Sequence, residues 1–182
     1  MEDKIVKELK DPQGRCWLTV PTSRDRWLFE ELAQDVTTRE LMLMPEVSEP
    51  QQVWDRLLQH RLVGMWLIQP NYRGIMQEPV GLLLTEPDSI SCEALDRNLS
   101  VAVLPKHRQH GYGRLAVGLL TKHLLSCGYR VSAVVRPDNN ASQRLFAGCA
   151  GYEAWGLKPG IARNPENGVM LDAYYYRCER WP

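Results

Sequence analysis

The chain has 182 residues, and its 22 Lys+Arg balance its 22 Asp+Glu, so no overall basic field argues for nucleic acid or a membrane surface. At 44% hydrophobic and 24% charged residues it has the composition of a globular protein with one sizeable core, and a single domain over 1–182 is expected. No apolar run approaches the roughly 18 residues that would span a bilayer, and the opening MEDKIVKELKD lacks the apolar stretch of a signal peptide, so a cytoplasmic location is expected.

The cysteines Cys16, Cys92, Cys127, Cys149 and Cys178 are odd in number, widely spread and without a C-x-x-C pair. They fit reduced thiols, mostly small core residues, and no His/Cys spacing points to a metal. In chain order, Arg15 to Val20 reads as a strand, and Thr22-x-x-Asp25 resembles a capping box that opens a helix. That helix has Leu28/Leu32 and Phe29/Ala33 at i,i+4 spacing. Thr37 to Glu49 reads as an irregular connection. Ser48-x-x-Gln51, with Pro50 in the first turn, opens a second helix whose apolar stripe is Val53, Trp54, Leu57, Leu58 and Leu62. Leu62 to Ile68 and Val80 to Thr85 read as two strands joined by a polar loop containing Asn71 and Gly74, and Trp27, Trp54 and Trp66 are expected in the core.

Leu99 to Leu104 is short, apolar and β-branched, a buried strand closed by Pro105. After it comes Arg108-Gln-His-Gly111-Tyr-Gly113, a basic loop with two glycines that opens onto a helix running to Ser126 and ending at Gly128. Leu115, Leu119, Leu120, Leu124 and Cys127 are expected on its sheet face. Strand, glycine loop and helix N-terminus in that order make an anion site, because glycines let backbone N–H groups approach a ligand at the positive end of the helix dipole. A P-loop would need Gly-x4-Gly-Lys-Ser/Thr, which is absent. Gly111-x-Gly113-x-x-Ala116 matches the dinucleotide fingerprint, but Pro105 to His110 separate it from its strand, and the next strand ends in Arg136 rather than an acid. A nucleotide-binding oxidoreductase would rest on that match alone.

Val131 to Val135 reads as another buried strand, followed by Arg136-Pro-Asp-Asn139-Asn-Ala-Ser142-Gln-Arg-Leu145-Phe146 and then Gly151-Tyr152. Asp138 or Asn139 is the helix N-cap, with Leu145, Phe146 and Cys149 as the apolar stripe. Gly151 to Leu157 and Val169 to Arg177 form a final strand pair around Asn167-Gly168, with Tyr175 on the opposite face from Tyr174 and Tyr176.

The pair of motifs, Arg108-x-x-Gly111-x-Gly113 after one strand and Asn139-x-x-Ser142-x-x-Leu145-Phe146 after the next, resembles the GNAT N-acetyltransferase superfamily over about residues 97 to 156. The opening layout looks closest to the branch with ribosomal-protein N-terminal acetyltransferases. The resemblance implies an α/β (α+β) fold: a mixed, mostly antiparallel sheet with helices on both faces, splayed between its fourth and fifth strands. It implies acetyl-CoA as co-substrate and an amine acceptor, either a protein N-terminus or a small molecule. A CoA-binding sensor or interaction module without turnover is the alternative from a different class. A homodimer through the C-terminal strands is a further expectation.

By the same resemblance, Arg108, Gln109, His110, Gly111, Tyr112 and Gly113 hold the pyrophosphate through backbone donors, with Arg108 or Arg114 adding charge. Backbone groups near Val101 and Val103 pair with pantetheine, and Val101 N–H is the oxyanion donor. Asn139, Ser142 and Phe146 line the pantetheine arm. Family members often carry a Tyr where this chain has Phe146, which cannot donate a proton. Ser142, one helical turn earlier, is the candidate acid for the thiolate, and Tyr152 is a second candidate. Asp96 is the candidate base, whereas His107 and His110 support anion binding or contact solvent.

Overall fold

A computed structural model describes residues 7–41, 50–59, 64–91, 93–164 and 167–182. The strands are β1 (Glu8–Lys10), β2 (Cys16–Thr19), β3 (Gly64–Tyr72), β4 (Ile75–Met76), β5 (Gly81–Pro87), β6 (Asp96–Val103), β7 (Arg130–Val135), β8 (Glu153–Arg163) and β9 (Met170–Cys178). The helices are α1 (Arg26–Gln34), α2 (Val36–Leu41), α3 (Pro50–Gln59), α4 (Tyr112–Ser126) and α5 (Asn140–Gly148). The strands join one sheet in the order β1-β2-β3-β5-β6-β7-β9-β8, with β4 folded back on β3. Every pairing is antiparallel except β6 with β7, where the α4 crossover makes the two strands run the same way.

Side-chain alternation divides the core in two. On one face α4 and α5 pack Ala116, Val117, Leu120 and Phe146 against Leu99, Val131, Ala133 and Val135. On the other, Leu28, Phe29 and Leu32 of α1 and Trp54 of α3 cover Leu67, Leu82 and Ala102. Thr22 and Asp25 form the expected capping box, entered through a single turn of 3-10 helix at Ser23–Asp25.

Several expectations are corrected. The connection after α1 is not irregular at its start: α2 forms because the Asp35 carboxylate accepts from both the Thr38 amide (3.0 Å) and the Thr38 hydroxyl (2.6 Å). Its β-branched Val-Thr-Thr opening hides that helix from a propensity reading. The remainder of that connection, Ser48, Leu62 and Cys92 lie outside the described residues. On α4 the face is rotated from the leucine stripe: Ala116, Val117, Leu120 and Thr121 are buried, Leu115, Leu119 and Leu124 flank them, and Cys127 is exposed. Trp27 and Leu58 are exposed, whereas Trp54 is core. β8 runs on to Arg163 instead of ending at Leu157, because Gly156 and Gly160 sit at positive φ within a strand whose register shifts twice. Tyr175 lies opposite Tyr174 and Tyr176, as alternation requires.

The feature that positions the site lies at β6 and β7. They pair only over Asp96↔Arg130, Arg97↔Val131 and Asn98↔Ser132. β6 then stays with β5 as far as Gly81↔Val103, and β7 stays with β9 as far as Val135↔Tyr174. The two strands therefore part, and α5 lies over the opening with Phe146 stacked on Tyr176 (ring centroids 5.8 Å apart). This is the splay expected between the fourth and fifth strands of the sequence reading; β1 and β4 account for the change in numbering.

Candidate active site

The loop between β6 and α4 is built for an anion. Gly111 caps α4 at φ +81 with open space where a Cβ would stand, and Gln109 also has positive φ (+64). The first intrahelical donor is Leu115 N–H, to Gly111 O. The amides of Tyr112, Gly113 and Arg114 thus open the helix without an intrahelical acceptor, at its positive end. Gly113 serves packing: a Cβ there would come 3.2 Å from Leu145 and within 4 Å of Val101 and Val103. His110 Nδ1–H donates to Arg108 O (2.8 Å), and the ring stacks on Tyr112. Burial, then Lys106 and His110, hold the His107 pKa below its ordinary value.

Backbone direction identifies the groups that face the cleft. Leu104 N–H donates to Val80 O (2.9 Å) on the β5 side. Alternation then turns the main-chain groups of Val101 and Val103 toward the gap. Val103 C=O is already taken by Arg108 Nε (3.0 Å), which leaves its N–H and both groups of Val101 facing outward. Arg108 also reaches Asp35 (2.5 Å) and the Thr38 hydroxyl (2.8 Å), tying the loop to the α1–α2 joint. Burial alone would raise the Asp35 pKa, but the Thr38 and Arg108 hydrogen bonds outweigh it and hold the carboxyl below its usual range. The Arg114 guanidinium donates to Gly148 O at the end of α5. Both arginines expected to add charge are thus held by protein groups. Arg144 of α5, which the sequence reading did not single out, lines the same cavity, and no protein partner holds it among the described residues.

A cavity of about 450 Å³ runs along the gap, bordered by the glycine loop, Val101, Val103, Asn139, Ser142 and Leu145. A second, of about 260 Å³, opens at the vertex of the splay beside Glu86, Asp88, Asn98, Val134, Phe146 and Ile161. The two share Leu41, Val101, Asn139 and Ser142. Asn139 caps α5 by accepting from the Ser142 amide (3.0 Å). Ser142 therefore stands at the junction, one turn before Phe146.

Two expected proton carriers are elsewhere. Asp96 is buried beyond the closed end of the cleft, its carboxylate against Arg130 and 3.1 Å from Arg177. It is a buried counter-ion to these two arginines and lines neither cavity. Tyr152 is also buried, hydrogen-bonded to the Thr121 hydroxyl (2.8 Å) and set edge-on to Phe146, and burial pushes its phenol far above the ordinary value.

The sequence reading missed a buried cluster under the second cavity. Asp88 Oδ2 accepts from the hydroxyls of Ser132 and Tyr175, both at 2.5 Å, and Asp88 Oδ1 accepts from the Ile90 amide (2.8 Å). Burial would raise the Asp88 pKa, but these hydrogen bonds outweigh it and keep the carboxyl below its usual range. Burial, and then the neighbouring carboxylate, push the Tyr175 phenol up to about 12. The three groups come from the end of β5, from β7 and from β9.

Residues 16–152 match the family model for the acetyltransferase (GNAT) family. The chain belongs to the GNAT acetyltransferase family. A GNAT-family acetyltransferase from Bacillus anthracis superposes with a TM-score of 0.75 at 16% identity, covering 94% of this chain and 98% of that one. RimL, the ribosomal L7/L12 alpha-N-protein acetyltransferase, gives 0.72 at 15% identity, covering 96% and 94%. The microcin C7 self-immunity acetyltransferase MccE, in complex with acetyl-CoA and AMP, gives 0.69 at 14% identity, covering 90% and 91%. At these identities the likeness is one of fold. No curated protein matches in sequence. As a GNAT acetyltransferase, the chain uses acetyl-CoA as co-substrate. The cleft fits it: open space above Gly111, unpaired amides at the head of α4, and β6 backbone free along the gap. No helix among the described residues is long and apolar enough to cross a membrane.

Proposed function

We propose that this GNAT protein is an N-acetyltransferase that moves the acetyl group of acetyl-CoA directly onto a primary amine, of a protein N-terminus or a small molecule. The observation that carries this reading is the meeting of two cavities at Val101 and Ser142, one along a phosphate-type loop and one at the splay vertex. The amides of Tyr112, Gly113 and Arg114, with the guanidinium of Arg144, hold the pyrophosphate end. Val103 N–H and the Val101 main chain orient the pantetheine arm by strand-like hydrogen bonds. Val101 N–H steadies the carbonyl oxygen as it gains charge, a contribution worth about 3 kcal/mol in comparable sites. The incoming nitrogen forms its bond to the acetyl carbon as the carbon–sulfur bond breaks. Ser142 Oγ gives the leaving sulfur its proton and regains one from the amine, whose surplus proton is relayed to it at the junction of the two cavities.

Calorimetric titration with acetyl-CoA and with CoA, followed by thiol release across peptides and amines, tests the reading. Saturable binding that disappears in Gly111→Trp, with thiol release by at least one amine, is the expected result. Binding with no release for any acceptor would point to a non-catalytic CoA-binding module, and absence of binding would end the reading altogether.

A further inference from the structure

At neutral pH an amine reaches the protein mostly as an ammonium ion: a lysine-type amine titrates near about 10.4 and an α-amino group near about 7.7–8.0. Ammonium has no lone pair, so one proton must leave before the nitrogen can attack the acetyl carbon. Ser142 carries a different proton, the one that nitrogen sheds after attack and sulfur takes up. Given the acetyltransferase reading above, the ammonium proton needs an acceptor of its own.

Among the described residues that line the vertex cavity, three are titratable: Glu86, Asp88 and Arg136. Arg136 is already protonated, and its guanidinium is turned to Asp138 and to Glu40 O (2.7 Å). Asp88 accepts from the Ser132 and Tyr175 hydroxyls and from the Ile90 amide, and these bonds keep its carboxyl below the usual range, which makes it a weak base. Glu86 differs from both. It is exposed at the end of β5, and Asn98 Nδ2 donates to its Oε1 at 3.2 Å, which orients the carboxylate without occupying Oε2.

The sheet register joins this carboxylate to the reacting point. Glu86 is the cross-strand partner of Asn98, and Leu84 that of Ser100. Alternation sets Glu86, Asn98 and Ser100 on one face, with Ser100 two residues, about 6.8 Å, along the strand from Asn98 and adjacent to Val101. Ser100 is half-buried and lines the same cavity. That lining is mainly polar, and a volume of about 260 Å³ has room for several waters at roughly 30 Å³ each. A hydrogen-bonded path therefore runs from the nitrogen beside Val101, past the Ser100 hydroxyl, to Glu86 and solvent.

We propose that Glu86 receives the ammonium proton along this path, holds it while the acetyl group moves, and then releases it to solvent at the cavity mouth. An N–H bond of the ammonium breaks as an O–H bond forms on the Glu86 carboxylate. The freed lone pair forms the bond to the acetyl carbon as the carbon–sulfur bond breaks, and Ser142 passes nitrogen's next proton to sulfur. One proton is released for each acetyl group transferred.

The test measures thiol release by the full chain with acetyl-CoA and three probes: phenethylamine, spermidine and a trialanine amide. The fastest is then followed from about pH 6.5 up to the pKa of its own amine in wild type, Glu86→Gln and Glu86→Asp. Glutamine keeps the oxygen to which Asn98 donates, so it removes the charge and leaves the contact. At neutral pH Glu86→Gln should lower kcat/KM about a hundredfold and leave the Kd for acetyl-CoA within twofold. Wild-type kcat/KM should stay level with pH, because ammonium and carboxylate together bring the proton into the transition state. In Glu86→Gln it should climb about tenfold per pH unit, since only amine that is already neutral reacts, and the deficit should close toward the amine's pKa. Glu86→Asp should keep the level profile at a reduced rate. A wild-type rate in Glu86→Gln overturns the proposal, as does a deficit of the same size at every pH. Absence of thiol release by the wild type with all three probes would instead remove the acetyltransferase reading on which it rests.

Discussion

Gly111 and Gly113 are both glycines of the phosphate loop, but different physics requires each. At Gly111 the backbone is left-handed and the space above it is open, so a side chain there costs about 1–2 kcal/mol of strain yet physically fills the anion site. Gly111→Trp should abolish acetyl-CoA binding in calorimetry while the protein still unfolds cooperatively. Gly113 instead lets α4 pass close to Leu145, Val101 and Val103. Arg144 is the cation that the described residues leave without a partner in the larger cavity. A charge-assisted contact from it is worth about 1.5–3 kcal/mol, so Arg144→Ala should weaken acetyl-CoA binding by at least tenfold and flatten its salt dependence. Ser142→Ala should lower kcat by about a hundredfold or more, the usual span for losing a general acid, and leave the Kd for acetyl-CoA unchanged, because the α5 cap uses the Ser142 amide and not its hydroxyl.

The end of β5 is joined to the middles of β7 and β9 by the Asp88 cluster, and Ser132 within it is the last β7 residue paired to β6. The cluster therefore fixes the vertex from which the two strands part. Asp88→Asn exchanges an ionised acceptor for a neutral one with an added donor, and should destabilise the fold by about 1–3 kcal/mol at neutral pH. The sign with pH follows from the direction of the shift. The folded-state pKa of Asp88 lies below its unfolded value, so its contribution is complete above the ordinary carboxylate pKa of about 3.9 and is lost as pH falls through the lower folded value. Urea midpoints of wild type and Asp88→Asn should therefore differ at pH 7 and converge in strong acid. A difference independent of pH would show that the cluster does not act through the carboxylate charge. Phe146, between Tyr152 and Tyr176 under α5, is a packing counterpart of the same vertex. Phe146→Ala should cost about 3–5 kcal/mol in denaturant unfolding.

Across the sheet, β6 keeps its full pairing with β5 and β7 with β9, so divergence is confined to the single parallel junction. The cofactor cleft and the acceptor cavity are two parts of that one opening. The ties that close it at its edges come from distant segments. Arg108 bridges to Asp35 and Thr38, about 70 residues away in sequence. Arg136 reaches back to Glu40 across 96 residues. Arg108→Ala is expected to loosen α2 from the glycine loop. The measurable sign is a several-fold rise in the Kd for acetyl-CoA that Arg108→Lys does not restore, because lysine lacks the planar fork that serves Val103 O, Asp35 and Thr38 together.

The residues near one another in sequence were sufficient to determine the central strands, helices α1, α4 and α5, the glycine loop and the Asn139 cap, because these depend on local backbone geometry and periodicity, whereas β1, β4, α2 and the extension of β8 were not read from it. The same locality made the phosphate site legible: its donors are consecutive main-chain amides at the head of one helix. What the tertiary structure alone decided was the fate of polar side chains. Asp96 was a reasonable base by position until the fold brought Arg130 and Arg177 to it, and Tyr152 a reasonable acid until Thr121 took its hydroxyl. Asp88 and Tyr175 carried no signal, being 87 residues apart and joined only when the sheet brings the end of β5 against β7 and β9. Whether a carboxylate or a phenol is free for chemistry depends on which partners the folded chain delivers and how much water it removes, and neither quantity is written in the spacing of a sequence.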